Sequence, residues 1–274
     1  MASAPASPIA PARWLPTCRL GGGWQMAIDS WLLDQGRPAF RLYRWQRPTL
    51  SLGQHQHALP PHWGELARAG VIDVVRRPSG GRAVLHGGDL TYALVWPTPP
   101  ASRVEAYGTA CRWLQQAFER LGHPLSFGSQ RAVPSNPSCF ALSTAADLVE
   151  SDGAKRIGSA QLWRRGRLLQ HGSILLAPSA ELWEKVFGDP APRLRPLPLE
   201  GQDLETELLA AARRALPFPL QAQPEPLRAA ELAAIAAGLD AQRPGSGRAV
   251  ATRGWASPAE TMPRTTIGRA SPSG

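Results

Sequence analysis

Residues 76–96 read RRPSGGRAVLHGGDLTYALVW, and this stretch decides the fold class. The apolar runs 83–85 and 90–96 carry the residue types that suit strands, and HGGD between them predicts a hairpin-like pair. Prolines within 97–100 then stop the sheet, because proline lacks the N–H that a ladder needs. Toward the N-terminus, 71–75 reads as a buried strand, 49–52 as another after Pro48, and 40–45 (FRLYRW) alternates as a half-buried strand does. Helices are predicted over 24–35, with Met26, Ile28, Trp31 and Leu32 on the apolar face, and over 62–69.

Toward the C-terminus, 103–121 gives the clearest helix. Val104, Tyr107, Cys111, Leu114, Phe118 and Leu121 recur at three- and four-residue steps, which makes one apolar stripe. Residues 146–150, 156–162 and 168–176 read as successive strands turned by SDG and RRG. Helices at 180–187, 204–215 and 227–238 follow between proline-rich connectors. Strands come in adjacent groups, with helices between the groups. That order predicts an α+β fold, a mixed, largely antiparallel sheet with flanking helices, and not a doubly wound nucleotide fold. The expected organisation is a flexible arm at 1–13, a main domain at 14–190, a short helical extension at 191–240 and a disordered basic tail at 241–274.

The net charge of +9 raises the question of nucleic acid. Much of it sits in the tail, where Arg243, Arg248, Arg253, Arg264 and Arg269 face one acid, Glu260. No helix or strand interleaves arginines with aromatics as stacking platforms would, so no nucleic-acid partner is expected. No apolar run approaches the ~20 residues of a membrane helix, so no membrane partner is expected either. Three cysteines cannot build a disulfide framework, which points to a reducing cytoplasm.

Three clusters carry the chemistry. In the first, Arg76, Ser79, Gly80, Gly81 and His86, paired glycines let backbone N–H groups approach a ligand while arginine supplies a donor fork. A plain hairpin loop is the competing reading. The second is Cys139, which follows Asn136-Pro137-Ser138 in a loop that holds a thiol in one place. A nucleophilic thiol needs a cation or base nearby, and Lys155 opens the next strand but one; an inert loop thiol is the alternative. Cys111 belongs to the helix stripe, and Cys18 has no base beside it. The third cluster sets Gly158 and Ser159 against His171, Gly172 and Ser173 on two paired strands, leaving a slot between small residues or simply a tight strand contact. His55, His57 and His62 lack a grouped Cys or carboxylate, so no metal is expected.

Taken in order, MAIDSWLL, RLYRWQRPTLSLGQHQ, RRPSGGRAVLHGGDLTYALV, NPSCF and KRIGSAQLWRRGRLLQHGSILL resemble the biotin/lipoate A/B protein ligase family over residues 24–176. The resemblance implies a mixed-sheet catalytic module that attaches a lipoyl or octanoyl group to a lysine of a lipoyl carrier domain. It places Arg76, Ser79, Gly80, Gly81 and His86 on an acyl-site loop, and Gly158, Ser159, His171 and Gly172 on strands lining the acyl channel. Lys155 falls where the family lysine contacts the acyl carbonyl, followed here by Arg156 in place of the usual aliphatic residue. Within the family, ATP-dependent lipoate ligases form an acyl-adenylate with ATP and Mg. Octanoyltransferases of the LipM type instead use a cysteine thioester and no cofactor. Cys139 stands at the nucleophile's place, and 190–238 is too short for the ligases' accessory domain, so the resemblance favours octanoyl transfer from acyl carrier protein. The acceptors implied are lipoyl domains of 2-oxoacid dehydrogenases or the glycine cleavage H protein. An inactive homologue that only binds such carriers is the remaining alternative.

Overall fold

The computed structural model describes residues 10–128 and 147–239. Its central strand, β6 (Asp89–Trp96), buries all eight of its residues. A strand covered on both faces loses the in–out alternation of an exposed sheet, and here helices supply both covers. Leu90, Tyr92, Leu94 and Trp96 face one apolar cluster, while Ala93 and Val95 face another.

Among the described residues the large sheet has seven strands. In spatial order they are β1 (Arg13–Leu20), β2 (Ala39–Trp45), β6, β10 (Arg167–Leu175), β9 (Lys155–Arg164), β8 (Asp147–Val149) and β7 (Ser126–Phe127). Among these described strands only β1 and β2 run parallel. A second sheet orders β4 (Asp73–Arg76), β3 (Thr49–Leu52) and β5 (Val84–His86). The mixed, largely antiparallel α+β architecture is the one the strand grouping predicts.

Helix α3 (Arg103–Arg120) covers one face together with α5 (Gly201–Ala215), which contributes Leu204, Leu208, Ala211 and Ala212 to the shared core. On the other face lie α1 (Gly22–Gln35) and α6 (Ala229–Ala236), with Leu232 and Ile235 against α1. The two remaining helices, α2 (Pro61–Arg68) and α4 (Ala180–Phe187), close the small sheet's own core around Trp63 and Trp183. The first two turns of α1 are buried on every side because the helix is wedged between the sheets. A Cβ on Gly22 would meet Thr49 and Val75 side chains at 2.9 Å.

Three expectations change. Residues 83–85 and 90–96 do not form a hairpin. β5 pairs with β3, whereas β6 pairs with β2 and β10. The linking Gly87 takes φ +144, and a Cβ on Gly88 would sit 2.2 Å from the Ala177 carbonyl oxygen, so the glycine pair passes the chain from one sheet to the other against β10's exit. Val104 is 84% exposed at the start of α3, where Ala106, Ala110, Trp113 and Ala117 carry the packing instead. Arg13–Leu20 is an edge strand that the sequence reading did not assign. Its Pro16 falls where the register shifts between Leu15 and Cys18, the place an edge strand tolerates proline. Arg13 itself is buried and bonds both Glu231 carboxylate oxygens at 2.9 Å, which ties β1 to α6.

No helix among the described residues is long and apolar enough to cross a membrane.

Candidate active site

The junction between the two sheets holds a narrow, partly open cavity of about 40 Å³. Ser51, Arg77, His86, Gly158, His171 and Gly172 are on its wall, with Ser159 beside them and Met26, Tyr43 and Trp45 adding apolar surface.

The register explains the slot in the wall. β9 and β10 place Gly172 opposite Ser159 and Ser173 opposite Gly158, as the two small-residue motifs predict. A Cβ on Gly172 would lie 2.6 Å from both Ser159 Oγ and Tyr92 Cε1. Behind the slot, Tyr92 and Ser159 share a hydrogen bond of 2.8 Å, and Gln170 Nε2 donates to the Tyr92 oxygen and to Cys111 Sγ. Burial pushes the Cys111 thiol up to about 12, so it is inert core.

Two buried relays meet the cavity. In the first, His171 Nδ1 is 2.8 Å from Asp29 Oδ2 and His171 Nε2 is 2.6 Å from Ser79 Oγ. Asp29 also accepts from Arg41 Nε at 2.9 Å and Nη2 at 2.6 Å, and from the Tyr43 hydroxyl. Burial alone would raise the Asp29 carboxyl, but Arg41 and then His171 hold it below the usual carboxylate range. In the second, His86 Nδ1 is 2.7 Å from Asp89 Oδ2 and His86 Nε2 is 2.8 Å from Ser51 Oγ. Asp89 further accepts from Ser173 and Thr91 hydroxyls and the Gly87 N–H. Against burial, His86, then the Ser173 hydroxyl and the Gly87 N–H hold Asp89 below the usual range. Trp45 stacks on His86 at 3.9 Å and donates its indole N–H to Thr91.

An ionised carboxylate only accepts, so in both relays the histidine carries a proton on Nδ1, and in the neutral imidazole the serine donates to Nε2. The sequence reading singled out His171, Ser79 and His86 but missed Asp29, Asp89, Ser51 and Arg41.

The two arginines at 76 and 77 divide their work. Arg76 caps the Gly53 and Gln56 carbonyls at 2.7 and 3.0 Å and does not line the cavity. Arg77 does; it is buried, bonding the carbonyls of Ser51 (2.8 Å), Gly80 (2.8 Å) and Arg82 (2.6 Å). Gly81, at φ +90, places its carbonyl against Gly53, where a Cβ would lie 1.8 Å away. Gly80 and Gly81 thus shape the loop that presents Arg77, while Ser79 reaches the cavity only through His171.

Lys155 Nζ lies 2.8 Å from Asp147 Oδ1, and the pair is buried. Arg156 follows on the other face of β9, where it pairs with Glu150 and donates to the Leu175 carbonyl at 2.8 Å. An arginine at this strand position is therefore buried without disturbing its neighbour. Cys139 lies outside the described residues. Cys18 is half-buried, 3.9 Å from Gln25. His55 and His57 are exposed, His62 faces the Val186 carbonyl at 2.9 Å, and no metal-holding cluster of three His, Cys, Asp or Glu occurs among the described residues.

The sequence profile of the lipoyl protein ligase A/B catalytic domain matches residues 22–194. Octanoyltransferase LipM of Kyrpidia tusciae is 37% identical over 199 residues, covering 67% of this chain and 72% of that protein. LipM of Lysinibacillus sphaericus is 37% identical over 181 residues (60% and 65% covered), and that of Geobacillus kaustophilus 34% over 189 (63% and 68%). Among solved structures, lipoate-protein ligase A bound with ATP superposes with a TM-score of 0.70 at 18% identity, covering 84% of this chain and 94% of that one. The bipartite lipoate protein ligase of Thermoplasma acidophilum gives 0.65 at 18%, covering 84% and 92%. At that identity the superpositions speak to the fold.

Proposed function

Since this chain belongs to the lipoyl protein ligase A/B catalytic domain family, we propose that it transfers an octanoyl group to a lysine of lipoyl carrier domains. The observation that carries the reading is the 37% identity to octanoyltransferase LipM across 72% of that protein. The donor we propose is octanoyl-acyl carrier protein, with Cys139 as the thioester-forming nucleophile and no cofactor. A thioester retains the donor's activation, so the reaction needs neither ATP nor Mg.

The lining residues suit an acyl chain, with apolar surface from Met26, Tyr43 and Trp45 and small residues along β9 and β10. Lys155, buried with Asp147, supplies a compact charge on the strand that carries Gly158 and Ser159. Lipoyl domains of 2-oxoacid dehydrogenases or the glycine cleavage H protein are the proposed acceptors.

The test is incubation with octanoyl-acyl carrier protein and a lipoyl domain without ATP, followed by intact mass of both proteins. The reading expects an octanoyl adduct on the enzyme, lost in Cys139→Ser, and an octanoylated lysine on the domain. Activity that requires ATP and free octanoate or lipoate, and persists in Cys139→Ser, would replace it with the ligase reading.

A further inference from the structure

We propose that Ser51, His86 and Asp89 form a proton relay that deprotonates the acceptor lysine as it attacks the acyl thioester, an inference that rests on the transfer reading above. The problem it solves is chemical. A free lysine has a pKa near ~10.4, so at neutral pH the acceptor arrives as an ammonium with no lone pair. Some group at the site must take one proton before the C–N bond forms.

The relay has the right connectivity. Ser51 and His86 both line the cavity. His86 Nε2 lies 2.8 Å from Ser51 Oγ, and Nδ1 is held 2.7 Å from the Asp89 carboxylate. With the imidazole neutral, the hydroxyl gives its hydrogen to His86, nearer than the Val84 carbonyl at 3.5 Å, and its oxygen accepts from Arg77 Nη1, which leaves one lone pair for a ligand. An ammonium N–H donates to that oxygen while the serine hydrogen passes to Nε2. The imidazolium formed is matched by Asp89, whose other donors, the Gly87 N–H and the Thr91 and Ser173 hydroxyls, are all neutral.

The groups facing the relay from each packed element are consistent with this. From β2, Trp45 stacks on the ring and the Tyr43 phenol stands nearby on the same wall; burial raises that phenol, so it stays neutral. From the loop after β4, Arg77 Nη1 donates to Ser51 Oγ at 3.4 Å, where it steadies the oxygen as its proton leaves. Other candidates serve less well. Lys155 presents an ammonium to Asp147, which is a donor and a charge rather than an acceptor. Ser79 of the first relay does not line the cavity.

The step balances. The ammonium gives one proton through Ser51 to His86, and the neutral amine attacks the acyl carbon. The C–N bond forms as the C–S bond breaks, the departing thiolate takes the second nitrogen proton, and His86 releases its proton to water.

The test compares two acceptors with the full chain: a lipoyl domain, and hydroxylamine, which is neutral at pH 7. Ser51→Ala and His86→Gln should each lower transfer to the lipoyl-domain lysine by about 10²-fold, the usual worth of acid–base assistance. Their loss toward hydroxylamine should be at least about tenfold smaller, and raising the pH from 7 to 9 should recover lysine transfer as free amine accumulates. Ser79→Ala serves as the control and should shift both acceptors together. Equal losses toward both acceptors with no recovery at high pH, or unaltered lysine transfer, would overturn the relay while leaving octanoyl transfer standing. Absence of octanoyl-lysine product with the unmutated chain would overturn both.

Discussion

The two aspartate–histidine–serine relays share one geometry and differ in what stands behind the carboxylate. Asp29 is backed by the buried Arg41 guanidinium, which bonds it twice. Asp89 is backed by hydroxyls and one backbone N–H. Where a cation already neutralises the carboxylate, a second positive charge on the histidine gains little. His171 is then a strut that joins α1, β10 and the Ser79 loop. Where the donors are neutral, the carboxylate's full charge is available to an imidazolium. The comparison assigns anchoring to the first relay and proton handling to the second, from identical residue types.

The harshest way to break the comparison is to remove each carboxylate. Asp29→Ala leaves Arg41 as an uncompensated buried cation, for which a loss of about 3–5 kcal/mol is expected. Asp89→Asn leaves no buried cation behind and should cost about 1–3 kcal/mol, the range for weakened buried hydrogen bonds. Urea unfolding of both variants measures the difference, and equal losses would erase the distinction drawn from Arg41.

Gly172 lies between His171 of one relay and Ser173 of the other on β10. A Cβ there meets Ser159, Tyr92 and the Gly158 carbonyl at 2.9 Å or less. Gly172→Ala should destabilise by about 1–3 kcal/mol through overpacking and depress transfer to both lysine and hydroxylamine, because it displaces both relays together. Ser79→Ala is milder, about 1 kcal/mol in thermal unfolding, since it removes one neutral donor to His171. A rate loss confined to the lysine acceptor in Ser79→Ala would make the two relays equivalent.

What the sequence shows of this site follows from period and size. The run at 90–96 announces a strand, and the small residues at 158–159 and 172–173 announce a slot whose register the structure supplies. Buried polar partners are harder to read. Asp29 and His171 lie 142 residues apart, and nothing local to either names the other. One signal was present: a charge inside an apolar element must be paired, and MAIDSWLL carries Asp29 while FRLYRW carries Arg41 as well as Arg44. The HGGD link misleads for a different reason. Two glycines permit a tight turn within one sheet or a crossing between sheets, and only the packing of Gly88 against Ala177 selects the crossing.

The smallest effect is in acid, and there the relays must be separated from a third carboxylate. Asp29 and Asp89 both sit below their ordinary range, so each contributes stability above the unfolded value of ~3.9 and loses it as pH falls through the folded value. Glu231 obeys the same sign far from the cavity. Its hydrogen bonds from Arg13, outweighing burial, hold it at about 2 instead of 4.5, so its share is complete above pH 4.5 and is lost toward pH 2. Unfolding between pH 4 and 2 therefore mixes the site with the β1–α6 tie. Glu231→Gln removes the tie's share, so its urea midpoint should lie below that of the unmutated chain at pH 6 and converge with it near pH 2. Whatever acid sensitivity Glu231→Gln retains belongs to the remaining carboxylates, and placing Asp89→Asn on that background isolates the second relay. A gap between Glu231→Gln and the unmutated chain that stays constant down to pH 2 would show that the Arg13 tie does not depend on the Glu231 charge.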